Sequence, residues 1–373
     1  MSQVFKSIDL FAGAGGLSCG LTHEGIESVV AVEIEKDFSE TFKLNHKDCF
    51  FINDDIENID FYQLMQKVNI KKIDLICGGP PCQGFSTVGK KNEKDQRNSL
   101  FWQFLRAVEE INPKMVLFEN VAGFKKLYKS AAFNTLELEL QKLGYQVKSD
   151  ILNAADFGSP QNRKRTIVVG FKKGILFDFP VPTHSKDGDL FTQKYNALSD
   201  AISDLPHLNA NESKQSYLKS KTKYQKEMRG CEQILTEHNS TNYGERMRLI
   251  MSMIPENGSV KDLPSQLRPK SYFGNTYARL NKDLPSPTIT RNFGTPSSSR
   301  CIHPHQDRAL STREGARLQG FPDNYIFYGS KTSKNLQIGN AVPVHLARAI
   351  GKEIFKSLKT CYRQKYPKWE YLL

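Results

Sequence analysis

Long apolar runs are missing from this 373-residue chain. No stretch of about 18 apolar residues occurs, so a membrane-spanning helix is not expected. The opening residues MSQVFKSIDLF lack the apolar core and small-residue cleavage site of a secretory leader, so an intracellular protein is expected. Paired cysteine motifs are missing too. The seven cysteines (Cys19, Cys49, Cys77, Cys82, Cys231, Cys301 and Cys361) are odd in number and form no CxxC pair. A disulfide framework and a structural zinc site are poor fits, and no metal is expected. Acidic residues are the minority, 40 against 52 Lys and Arg, leaving a formal charge of +12. That excess fits a polyanionic partner, and equally an ordinary solubility charge.

What is present is alternation. Apolar runs at 7–11, 29–34, 73–77, 115–119 and 166–171 are rich in Val, Ile, Leu and Phe without polar alternation, the pattern of strands buried on both faces. Between them lie amphipathic stretches. The segment 98–111 places Leu100, Phe101, Phe104, Leu105 and Val108 on one face, and 133–143 stops at Gly144. Strand-helix alternation predicts an α/β fold built on a doubly wound parallel sheet. After Phe179 the pattern weakens, and Lys, Ser, Asn and Gln dominate to about Pro269. A last amphipathic helix is expected over 344–358. The predicted plan is a catalytic and cofactor-binding domain over 1–182, a smaller irregular domain over 183–324, and a segment 325–373 returning to the first.

Chemistry-bearing residues fall at the ends of the predicted strands. Phe11, Gly13, Gly15 and Gly16 form a glycine-rich turn after the first strand, where backbone can approach a ligand at a helix N-terminus. Glu33 ends the second strand 20 residues after Gly13, the place of a ribose-binding acid in Rossmann-type folds. The turn reaches Ser18 where the dinucleotide fingerprint has a third glycine, which favours a cofactor without a pyrophosphate. Asp54 and Asp55 offer an acceptor for an adenine amino group or a helix N-cap. GGPPCQGFS at 78–86 follows the third run at the carboxyl edge of the sheet, and its glycines and prolines fix an unusual backbone around Cys82, which reads as a nucleophile. Cys77, inside the apolar run, reads as packing. The polar stretch after Ser86 reads as a loop closing over a phosphate backbone, or a plain solvated loop. Glu119 ends the fourth run, placed to hold a proton on a substrate nitrogen. Arg163 and Arg165 alternate onto one side of an extended stretch, suited to a carbonyl, phosphate or carboxylate, or to solvent.

In this order, FAGAGG, VAVEI, DDI, GGPPCQGFS, FENV, QNRKR, RALSTREGARLQGFP and IGNAVPV resemble the DNA cytosine-C5 methyltransferase family, in its compact bacterial or phage form. The resemblance covers most of 1–180 and about 279–356. It implies a Rossmann-like fold dependent on S-adenosylmethionine, with S-adenosylhomocysteine as product and a target-recognition domain in the irregular region. It implies double-stranded DNA as substrate and a flipped-out cytosine attacked at C6 by Cys82. Glu119 would stabilise the protonated N3, Arg163 would grip the C2 carbonyl, and Arg165 would hold Glu119 or help position the base. Cofactor contacts carried over are Phe11, the glycine turn, Glu33, Ile34, Asp55, Ile56, Pro81, Leu100, Asn340 and Val342. Ile34 replaces a frequent aromatic, and Asp54 a frequent glycine. DNA contacts are expected at Gln83, Ser86 and Arg97. Residues 272–279 and TITRNFGTPSSSR are expected to offer side chains to base edges and phosphates. A monomer in the bacterial cytoplasm, working alone or beside a restriction endonuclease, is expected. Two other readings share these motifs: a methyltransferase acting on a transfer RNA cytosine, and a catalytically inactive DNA-binding relative. A nicotinamide-dependent enzyme is disfavoured by the broken fingerprint.

Overall fold

The computed structural model describes residues 3–81, 99–126, 130–272, 276–297 and 301–365. The chain divides into two compact units. One comprises 1–153, 164–181 and 346–373; the other comprises 154–163 and 182–345. The expected C-terminal segment is thus divided, with 325–345 in the second unit and the rest in the first.

The first unit is an α/β sheet unit. Its strands are β1 (Phe5–Leu10), β2 (Ile26–Val32), β3 (Phe50–Ile52), β4 (Leu75–Gly78), β5 (Met115–Val121), β6 (Tyr145–Asn153) and β7 (Lys164–Lys172). They lie in the order β3-β2-β1-β4-β5-β7-β6. The pairs from β3 through β5 are parallel, and β7 runs antiparallel to both β5 and β6. The helices are α1 (Gly16–His23), α2 (Lys36–Asn45), α3 (Phe61–Lys67), α4 (Ser99–Ile111) and α5 (Ala131–Lys142). Strand alternation sorts the sheet's faces. Ile8, Leu10, Val30, Val32, Ile76, Val116, Phe118 and Val168 pack with Phe61 and Leu64 of α3, Phe101, Phe104, Leu105 and Val108 of α4, and Leu136 and Leu140 of α5. Each such side chain taken from water contributes roughly 1.5–3 kcal/mol. On the other face, Phe5 meets Phe355 edge-on at 5.1 Å.

Within the second unit lie α6 (Leu198–Ile202), α7 (Lys223–Arg229), α8 (Glu245–Ser252), α9 (Thr312–Gln319) and α10 (Lys331–Asn340). A small core gathers Ile250, Met251, Ile254, Val260, Leu263, Tyr277 and Ile302. The final helix α11 (Val344–Lys365) runs a further two turns beyond the expected 344–358. Among the described residues, no helix is long and apolar enough to cross a membrane, and no group of three His, Cys, Asp or Glu side chains has metal-ligand placement.

Candidate active site

One end of the candidate site is built where β1 stops. Phe11 leaves the strand with φ 60°, and Gly13 and Gly15 follow at 57° and 82°. A left-handed aromatic is strained, by about 1–3 kcal/mol, and such strain collects at functional turns. The Gly13 N–H donates to Glu33 Oε2 at 2.9 Å, and the Glu35 N–H donates to Glu33 Oε1 at 2.9 Å. The acid that ends β2 is therefore fixed against the glycine turn. Burial pushes the Glu33 carboxyl above its usual range, opposed by those two backbone donors. Asn53, which no motif marks, donates to the carbonyls of both Glu33 and Ile34 at 2.9 and 2.8 Å. It holds the β2 exit in place.

Around this turn the expected contacts divide by exposure. Ile34 is 60% exposed, an apolar side chain left open beside the acid. Asp55 accepts the Glu57 N–H at 3.0 Å, capping a 3-10 turn over Ile56–Asn58. The capping alternative thus holds for one of its oxygens. Ile56 is buried and Leu100 half-buried, both against the sheet core. The Cβ position of Gly13 has nothing within 4 Å. An open face above a backbone turn, flanked by a carboxylate and an apolar side chain, fits S-adenosylmethionine.

The other end of the candidate site lies along β4 and β5. Glu119 Oε1 pairs with Arg165 Nε at 2.7 Å, both side chains 12% exposed. Gly79 sits directly against that carboxylate: a Cβ there would lie 2.7 Å from Glu119 Oε2. Gly78 has the same constraint against β1, at 2.3 Å from the Leu10 carbonyl oxygen. The two glycines before the prolines are required by close approach, one to backbone and one to the acid. Asn120 donates to the Pro80 carbonyl at 3.0 Å, and its own Oδ1 accepts the Val121 N–H. It ties the chain leading toward Cys82 to the strand carrying Glu119. Sequence spacing gave no hint of this, though a polar residue at the buried end of an apolar strand is a usable signal. Pro81 is exposed. Cys82, Gln83, Ser86 and Arg97 lie outside the described residues.

The structure departs from expectation at Arg163. The extended stretch is not one strand: Gln161–Asn162 form a separate short strand, and β7 begins at Lys164. Arg163 belongs to the second unit and is 2% exposed. Its guanidinium donates to the carbonyls of Ile289 and Gly339, each at 2.7 Å. Those bonds tie it to the TITR segment and to the last turn of α10. Asn340, the last residue of α10, is exposed, and Val342 just beyond it is half-buried. Arg279 is likewise engaged with backbone. It is buried and donates to the carbonyls of Met251, Ile254 and His303, at 2.6, 2.7 and 2.9 Å. Arg291 and Asn292 are exposed, on backbone that packs tightly over Gly339.

Comparison with known proteins gives this arrangement its context. The C-5 cytosine-specific DNA methylase family matches residues 5–356. The Type II methyltransferase M1.HphI of Haemophilus parahaemolyticus is 36% identical over 352 residues, covering 94% of this chain and 86% of the relative. M.DdeI of Desulfomicrobium norvegicum is 35% identical over 371 residues, covering 93% and 88%. A solved structure assigned as a prophage-encoded DNA modification methyltransferase of E. coli aligns with TM-score 0.76 at 27% identity, covering 95% of this chain and 99% of that one. The S. pombe Dnmt2 methyltransferase aligns at 0.59 with 19% identity over 95% and 99%, a likeness of fold alone. The glycine turn, Glu33 at the end of β2 and the arginine-held Glu119 stand within the matched span, and the chain belongs to the C-5 cytosine-specific DNA methylase family.

Proposed function

We propose that this DNA (cytosine-5) methyltransferase works through a covalent adduct between Cys82 and C6 of a cytosine turned out of the duplex. The Cys82 thiolate forms a bond to C6, and the C5–C6 π electrons move into the ring. Glu119 holds a proton on N3 as they arrive, so that no full negative charge builds up on the base. Arg165 keeps the Glu119 carboxylate aimed and stands nearest in chain to reach the C2 carbonyl, in place of Arg163. When bound at the glycine turn, S-adenosylmethionine supplies the methyl group as a sulfonium and leaves as S-adenosylhomocysteine. Glu33 would take the ribose hydroxyls, Asp55 the adenine amino group, and Phe11, Ile34, Ile56 and Leu100 the apolar face of the adenine, with Pro81 as a further contact. A solvent-derived base takes the C5 proton, and the electrons returning to C5–C6 expel Cys82. Gln83, Ser86 and Arg97 would meet the phosphate backbone and help offset a flipping penalty of a few kcal/mol.

The observation that carries this reading is the buried-edge pairing of Glu119 with Arg165, directly against the Gly79 backbone that leads to Cys82. The curated relatives are named Type II methyltransferases, which favours DNA over transfer RNA and a role beside a restriction endonuclease. The test is a duplex carrying 5-fluorocytosine, incubated with cofactor. The wild type is expected to form a denaturation-resistant adduct, and Cys82→Ser none, while both bind the duplex. An adduct that persists in the serine variant removes Cys82 as nucleophile. No adduct with the wild type, on duplexes it demonstrably methylates, removes the covalent route.

A further inference from the structure

Asp9 takes no part in the chemistry above, yet it is 1% exposed, two residues before the strained turn at Phe11. Its partners come from the elements that bracket that turn. Ser18, in the first turn of α1, donates its hydroxyl to Asp9 Oδ2 at 2.5 Å. Ser18 Oγ is 2.7 Å from Ser28 Oγ on β2, and Ser28 Oγ is 3.2 Å from Ser7 Oγ on β1. With the Ser18 proton on Asp9, Ser28 donates to Ser18 and Ser7 to Ser28. The three hydroxyls form one polarised chain ending on the carboxyl group. On β4, Cys77 stands in register opposite Asp9.

An apolar side chain at position 9 would fill this face of the sheet without the desolvation penalty of a carboxyl group. It would lack a directional tie to α1. The turn between Asp9 and Ser18 has three left-handed positions, Phe11, Gly13 and Gly15. Its backbone is anchored to β2 by Ala12 N–H on the Val32 carbonyl and by Gly13 N–H on Glu33. These bonds fix its outer side. The Asp9–Ser18 bond closes its base, setting where α1 starts relative to the end of β1.

We propose that Asp9 is a positioning residue for the cofactor, holding the glycine turn through Ser18 in the shape that binds S-adenosylmethionine. This rests on the reading that the cofactor lies at that turn, and is independent of Cys82.

The probe is S-adenosylhomocysteine, titrated calorimetrically into the full chain. Ser18→Ala and Asp9→Ala should each weaken it about tenfold, the effect of losing one buried hydrogen bond. Their double variant should be little worse than either, because one bond is lost in all three. Asp9→Asn should stay within about threefold of wild type, since its amide oxygen still accepts from Ser18. Duplex affinity should stay within about twofold in every variant, which a general loss of fold would not allow. Wild-type affinity in Ser18→Ala, additive losses in the double variant, or parallel loss of duplex binding would each overturn the proposal. If Asp9→Ala does not fold, Ser18→Ala against Asp9→Asn decides. A wild type that binds duplex but not S-adenosylhomocysteine would remove the cofactor site itself, a result distinct from any of these.

Discussion

Gly79 shows how much of the site depends on a missing side chain. Its Cβ position lies 2.7 Å from Glu119 Oε2 and 3.3 Å from the Glu119 carbonyl oxygen. An added methyl group must move either the backbone or the carboxylate. The carboxylate is the softer of the two, but it is held by Arg165. Gly79→Ala is therefore expected to lower kcat by more than tenfold. S-adenosylhomocysteine affinity should be kept, since the glycine turn lies on other strands. Single-turnover methylation with a parallel binding titration checks this; unchanged kcat would mean that Glu119 tolerates displacement and does not hold the N3 proton. Glu119 itself was legible in the sequence, because a carboxylate closing an apolar run at a sheet edge has few structural reasons to be there. Glu33 was legible from its distance to Gly13. Asp9 and Asn120 were not, because each acts on a residue across the sheet, and spacing along one strand carries no trace of that.

Elements were read best where burial is two-sided. Strands β1, β2, β4, β5 and β7 lie inside the sheet and are mostly buried, and the expected runs match each within a few residues. Strand β6 escaped because it is an edge strand, where YQVKSDILN alternates burial with exposure. Strand β3 is three residues long, too short for any period. Arg163 was misplaced for a related reason: a two-residue period was carried through a position where the strand breaks. Helix α9 makes the same point about packing. All eight of its residues are buried, and Ser311 and Glu314 form a capping box at its start. Glycine inside a helix is ordinarily about 1 kcal/mol worse than alanine, so Gly315→Ala would be expected to stabilise. Here the sign reverses. The new Cβ would lie 2.3 Å from Phe293 Cζ, and that ring is 1% exposed with nowhere to turn. Overpacking of this kind costs about 1–3 kcal/mol. Denaturant unfolding of Gly315→Ala should show a loss of that order, and a gain would show that the ring yields.

At the scale of the whole molecule the two units are each held by different physics, and acid should weaken one before the other. The second unit looked irregular in sequence because charged groups carry much of its interior. Arg317 is buried against Asp204 and Asp323, and Arg308 grips Glu314 with two hydrogen bonds. Burial works against the charge on Glu314, but the Arg308 guanidinium outweighs it and holds the carboxyl well below its usual range. Burial pushes His303 down to about 3, and lowers His238 as well. For a histidine lowered on folding, the unfolded chain takes a proton at 6.5 that the native chain refuses. The stability that His303 contributes is thus lost as pH falls from 6.5 toward 3, by up to about 1.4 kcal/mol per pH unit. Glu314 adds to the loss below about 4.5. In the first unit the signs oppose one another. His46 is pushed down to about 4 by burial and loses stability in acid. Asp9 is pushed up to about 7, by burial first and the nearby Glu33 charge, against the Ser18 hydrogen bond. Its native form takes a proton below 7 that the unfolded chain refuses until about 3.8, so acid strengthens the fold around it, and the raised Glu33 acts the same way. Between pH 7.5 and 5.5, amides of 301–320 should therefore lose hydrogen-exchange protection, corrected for intrinsic rates, ahead of those of 5–32. Equal losses, or earlier opening of 5–32, would mean that the buried histidines do not set the acid response. The Asp9→Asn variant sharpens the comparison: with no proton to gain, its 5–32 segment should lose the acid-side benefit, while 301–320 behaves as in wild type.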